Sequence, residues 1–188
     1  MTTFEFNPDR VAYHEVAGWK AYYDHAWFKL LRLVVALVQE QFRIPFPVSL
    51  LAAYYTTRAS VAWVPVDHDL NVVRAYLEKF YRLARRYSGL EFDPVQAAAL
   101  ETQYWIVHRE LSGKPDKAAF VQAMIDLHSD LFGISKEQAR ESGEERVQAN
   151  IILDTITGKT SQNPDADWLK CEEHLRRCYG SIHRAIQS

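Results

Sequence analysis

Six residues combine a chemistry-bearing side chain with a place among apolar neighbours: Glu15, Arg58, Glu101, Tyr104, His108 and His128. On a helical wheel turned by 100° per residue, Glu15 falls beside Trp19, Tyr22 and Ala26. Arg58 falls among Leu51, Tyr54, Tyr55, Val61 and Ala62. Glu101 and His108 lie two turns apart, on one side with Ala97, Tyr104 and Leu111. His128 falls among Val121, Met124, Ile125, Leu131 and Phe132. An unpaired charge inside a protein is expensive. An arginine cannot escape that cost by losing its proton. Arg58 therefore needs a carboxylate, and Glu15 and Glu101 are the two that face inward. The expected chemistry is the binding of a small anionic or aromatic ligand in an aromatic-lined interior. Arg58 would grip a carboxylate or phosphate with two parallel hydrogen bonds. His108 or His128 would act as acid or base near neutral pH. These residues specify neither an enzyme nor a cofactor.

Two alternatives use the same side chains. Glu15, Glu101, His108 and His128 are a reasonable ligand set for iron, manganese or zinc. Helix number and aromatic richness are loosely similar to ferritin-like and haem-oxygenase-like bundles, a resemblance of fold that carries no function. The ferritin-like di-iron signature is Glu-x-x-His on two helices. That spacing is absent here, since Glu101 and His108 are seven residues apart. Arg58 would also compete with an ion for the carboxylates. A mononuclear or haem-oxygenase-like site with looser spacing is the metal alternative. In the other alternative the cluster only fixes helix register, with Arg58 on Glu15 or Glu101. The protein would then act through its outer surface, as a scaffold or partner-binding module.

Other motifs point to structure. Asp67-His68-Asp69 follows Pro65 at a helix start, where Asp is a favoured cap. His14 and His25 align on the polar side of the first helix and are expected to be exposed. The chain has no Gly-rich phosphate loop, no Gly-x-Ser-x-Gly and no Cys-x-x-Cys.

The elements that must position these residues read as an all-α, single-domain bundle of about seven helices spanning 1–188. Asn7-Pro8 is an N-cap with Pro at the first helical position. A long N-terminal helix then runs to about Gln41, where Pro45 and Pro47 break the pattern. A second helix covers about Val48 to Trp63. A third, capped by Asp67 or Asp69, reaches about Tyr87. The fourth opens at Asp93-Pro94 and ends at Ser112-Gly113. The fifth runs from Asp116 to Phe132-Gly133. Ser135 with Gln138 forms a capping box for a sixth, which ends near Thr157. Asn163-Pro164 opens the seventh. The apolar residues of the sixth helix, Val147 to Ile156, wrap widely around it and suggest packing on more than one side, as in a homodimer.

Composition agrees with this reading. Among 188 residues, Gly and Pro number seven each, about 7% together where ordinary usage is roughly 12%. That poverty disfavours a many-turned β fold. Twenty-two basic and 24 acidic residues leave a net charge of −2, and nucleic-acid binding needs a basic excess. Arg82, Arg85 and Arg86 read as a solvated helix face. The most apolar stretch, Trp27 to Val38, contains Lys29 and Arg32 and falls short of the ~20 residues of a membrane span. The N-terminus has no basic region followed by an apolar one. Cys171 and Cys178, seven residues apart on a helix, are ~10 Å apart along its axis, too far to pair with each other. They read as buried thiols of a cytoplasmic protein.

Overall fold

Side-chain caps open four of the helices. Asn7 accepts from the Arg10 N–H, Asp69 from Asn71, Asp93 from Val95 and Asn163 from Ala166, each satisfying a donor the first turn leaves free. The structure, a computed structural model, describes residues 4–188. Eight helices form: α1 (Pro8–Tyr23), α2 (Trp27–Phe42), α3 (Val48–Trp63), α4 (Leu70–Ser88), α5 (Pro94–Leu111), α6 (Ala118–Phe132), α7 (Arg140–Thr157) and α8 (Pro164–Ile186). No strand occurs among the described residues. Each helix packs on the next, and α8 also packs on α1, so the packing order closes into a ring.

The expected long N-terminal helix is two helices, which makes eight rather than seven. α1 ends in a Schellman motif. The His25 N–H donates to Tyr22 O, and the Ala26 N–H donates to Ala21 O. His25 itself takes the left-handed conformation, φ 55°. Glycine is the usual residue there, so the sequence carries no breaker signal. The capping box of Ser135 and Gln138 does form, in both directions, but it opens a turn ahead of α7.

Close approach matters at α6 and α7. A Cβ on Gly143 would lie 2.7 Å from Ile125 Cγ1, so only glycine lets these backbones meet. The core runs around the ring through Val11, Val38, Ala52, Val73, Ala97, Phe120, Val147 and Leu175, one from each helix. On α3 the buried residues are small: Ser49, Ala52, Ala53 and Ala59. Val48, Tyr55 and Trp63 pack partly against the core, and Leu50, Leu51, Tyr54 and Val61 are exposed.

Candidate functional site

Glu15 of α1 is buried beside Arg146 of α7 and Tyr179 of α8. Arg146 Nη2 is 2.7 Å from Glu15 Oε1, and the Tyr179 hydroxyl donates to Glu15 Oε2 at 2.6 Å. Arg146 Nη1 lies 3.4 Å from the same hydroxyl. The guanidinium also covers the Trp19 ring, 5.2 Å from its centre. The two charged side chains keep only 10% and 12% of their accessibility. Burial works against the Arg146 charge, and the Glu15 carboxylate more than restores it, so its pKa is raised. Tyr179 is pushed up by burial and by Glu15, and stays a neutral donor.

Hydrogen bonds of Asn150 and Glu101 extend the polar contacts from this pair across the ring. Asn150 Nδ2 donates to Tyr104 OH at 3.2 Å and to the Arg146 carbonyl at 3.1 Å. Glu101 of α5 accepts from Tyr81 OH at 3.1 Å and Trp105 Nε1 at 2.9 Å. Burial pushes the Glu101 carboxyl up, against the pull of Arg146 and of these two donors. The polar centre therefore joins α1, α4, α5, α7 and α8. Its one open donor is Arg146 Nε, buried and without a partner.

The two histidines sit outside that centre. His128 is buried, and its Nδ1 lies 2.8 Å from Ser142 Oγ. Ser142 gives its own proton to the Ala139 carbonyl, so the imidazole must be the donor. Burial and Arg146 lower the His128 pKa to about 3, and the ring is neutral at any physiological pH. His108 is partly exposed. Its Nε2 lies 3.1 and 3.2 Å from the two Asp154 oxygens, and Ser112 donates to the same carboxylate at 2.9 Å. The ring stacks on Phe120 with centroids 4.8 Å apart. Burial raises Asp154, but its hydrogen bonds to His108 and Ser112 outweigh this and hold it below the usual carboxylate range.

Arg58 is elsewhere. It is exposed on α3, with its guanidinium over the rings of Tyr54 and Tyr76 at 6.0 and 5.2 Å. It meets neither Glu15 nor Glu101. Of the apolar residues that surround it on the wheel, Leu51, Tyr54 and Val61 are exposed, Tyr55 and Ala62 pack partly against the core, and Ala52, Ala53 and Ala59 are buried. The cation that the inward carboxylates require is Arg146. The sequence offers no clear signal for it, because the start of α7 carries charges on most sides. Of the six candidates, Glu15, Glu101 and Tyr104 meet in the polar centre, while His108, His128 and Arg58 do not join it. Among the described residues, no group of three or more His, Cys, Asp or Glu is placed to hold a metal ion.

Two surface grooves stand out among the described residues, and neither includes a residue of the polar centre. One, of about 560 Å³, is lined by Phe6, Asn7, Glu40, Arg43 and His183. The other, of about 420 Å³, is lined by Arg82, Arg85, Arg86, Leu90 and Glu91. The apolar surface is more unusual. Sixteen large apolar side chains are exposed among the described residues, and twelve lie between Tyr22 and Val66. Phe28 and Val66 are 93% and 91% exposed. No described helix is long and apolar enough to cross a membrane. No known protein family matches the chain, and no curated protein or solved structure matches it either.

Proposed function

We propose that the protein is a helical partner-binding module that works through the outward side of α2 and α3, and that its polar centre holds the helices in register. The observation that carries this reading is the crowding of twelve of sixteen exposed large apolar residues into the segment from Tyr22 to Val66. Scattered exposed apolar residues need no explanation, but a concentrated patch marks an interaction surface. The polar centre supports the same division of labour. Its carboxylates already have their donors and do not call for an external partner. Free, buried Cys171 and Cys178, the Cys171 thiol pushed up to about 12 by burial, suit a reducing compartment such as the cytoplasm.

The test is photo-cross-linking in the native host. A photoreactive residue replaces Leu31, Tyr54 or Val61 in one set, and the exposed Gln103 or Arg176 in another. Adducts concentrated in the first set support the reading. Equal or absent adducts at these positions overturn it.

One observation favours a second reading. Arg146 Nε is a buried donor without an acceptor, beside the rings of Trp19 and Tyr179. A small aromatic acid would supply that acceptor oxygen. Titration calorimetry with benzoate tests this: binding that is lost in Arg146→Lys supports it, and no heat of binding removes it.

A further inference from the structure

The net charge of −2 hides a division within the chain. Helices α2, α3 and α4 carry eight basic residues and two acidic ones, and the rest of the chain carries 14 and 22. All eight of those basic side chains are exposed. Both carboxylates are engaged, Glu40 by Arg10 and the Asn7 N–H, and Glu78 by Arg82. Arg74, Lys79, Arg82, Arg85 and Arg86 share the solvent side of α4. Lys29 and Arg32 are exposed on α2 beside Trp27, Phe28 and Leu31. The adjoining connections contribute Asp24, Arg43, Asp67 and Asp69, so the segment 24–88 still holds nine basic against five acidic residues. The three helices pack on one another pairwise and form one side of the ring, the side with most of the exposed large apolar residues. We infer that this side docks on the surface of a bilayer that carries anionic lipids. Trp27, Phe28 and Leu31 of α2 and Val66 of the α3–α4 corner enter the headgroup boundary, and the basic side of α4 is held by the lipid phosphates and carboxylates.

Cations alone would fit any polyanion, and exposed apolar side chains alone would fit any hydrophobic partner. Both on one side of a molecule match the boundary between charged headgroups and acyl chains. Tyr22, Tyr23 and Trp27 are exposed at the α1–α2 corner, with the rings of Tyr22 and Trp27 6.0 Å apart. Amphipathic rings of this kind favour that boundary. Phe28 beside them and Val66 at the α3–α4 corner stand almost clear of the protein. Short connections make consecutive helices antiparallel, so both corners lie at the same end of the ring. Neither of the two grooves takes in these side chains. A folded partner would need pockets shaped to such projections, whereas fluid acyl chains close around them. A nucleic acid offers phosphates but no apolar surface for Phe28, Leu31 or Val66. Docking of this kind lays helices on a membrane and needs none that spans it. The attraction of the basic side chains weakens as salt screens the lipid charge.

This inference rests on the partner-binding reading, and its test separates the two. The full chain is floated with phosphatidylcholine vesicles made with or without phosphatidylserine. It should bind the mixed vesicles at least ~10-fold more tightly than the neutral ones, and raised salt should narrow that difference. Phe28→Ser, at an exposed position, should weaken binding to the mixed vesicles at least ~10-fold with no change in the thermal melt. Arg74→Glu with Lys79→Glu, also exposed, should bring the two kinds of vesicle close to equal. Leu169→Ser, at an exposed apolar residue of α8, should change neither. A chain that binds no vesicle overturns the inference. So does equal binding of the wild-type chain to both kinds, or an affinity that Phe28→Ser leaves intact. A DNA duplex that competes fully with the mixed vesicles while Phe28→Ser has no effect assigns this side to a polyanion instead. If vesicles do not bind and photo-cross-linking joins another protein at Leu31 or Tyr54, the membrane is refuted and the partner-binding reading stands.

Discussion

Glu15 and Arg146 sit where apolar side chains are expected, whereas Tyr54 and Val61 sit where polar ones are. The first pair costs free energy to desolvate and recovers it by mutual contact, through a 2.7 Å ion pair and the Tyr179 hydroxyl. The second set leaves free energy unclaimed, because its apolar area still faces water. A buried ion pair is weak evidence for stability but strongly resists the loss of one partner. An exposed apolar seam contributes little to the fold and has its value in what covers it. The two regions should therefore respond oppositely to substitution, one in melting and the other in association.

The largest effect is expected from splitting the pair. Arg146→Met leaves Glu15 facing one neutral donor, and should lower unfolding free energy by ~3–5 kcal/mol in denaturant titration. Adding Glu15→Leu should restore most of that loss, since no charge is then stranded. A double variant as unstable as the single one would show that the pair is more than self-satisfied.

Acid sharpens the same contrast. His128 has its pKa lowered from 6.5 to about 3. The unfolded chain takes up a proton below 6.5 that the folded chain refuses until about 3. Stability tied to this group is full above pH 6.5 and is lost as pH falls from there toward about 3. His128→Leu should flatten this part of the stability–pH curve, and an unchanged slope would assign the loss to other groups. Gly143→Ala should destabilise by ~1–3 kcal/mol, because its methyl meets Ile125 Cγ1 at 2.7 Å. A melt unchanged from wild type would show that α6 and α7 can separate at that point. The smallest effect belongs to Arg58→Leu, within ~0.5 kcal/mol in thermal melting. A larger loss would place Arg58 in a contact its exposed position does not provide.

Much of the fold is legible in the sequence because the termini of its helices are marked by residues with one physical use. Asn7, Asp93 and Asn163 cap helices with proline at the first positions, and all three act as read. The break at His25 is hidden because histidine does there what glycine usually does. The polar centre is half legible. Glu15 and Glu101 betray themselves by standing among apolar neighbours. Arg146 does not, because the start of α7 is charged on most sides. Arg58 misleads for a related reason. Wheel reasoning takes the large apolar side as the buried one, and on α3 the buried side is built of alanine and serine. Small residues allow α3 to lie close to its neighbours, while Leu50, Leu51, Tyr54 and Val61 are left exposed.

The separation of roles is tested most directly by the photoreactive residue at position 54, placed in both the wild-type chain and the Glu15→Leu/Arg146→Met double variant. If the polar centre only holds the ring together, a folded double variant should give the same adducts in the same yield as wild type. Loss of those adducts from a double variant that melts normally would contradict the account, and would make the buried pair part of what the protein does.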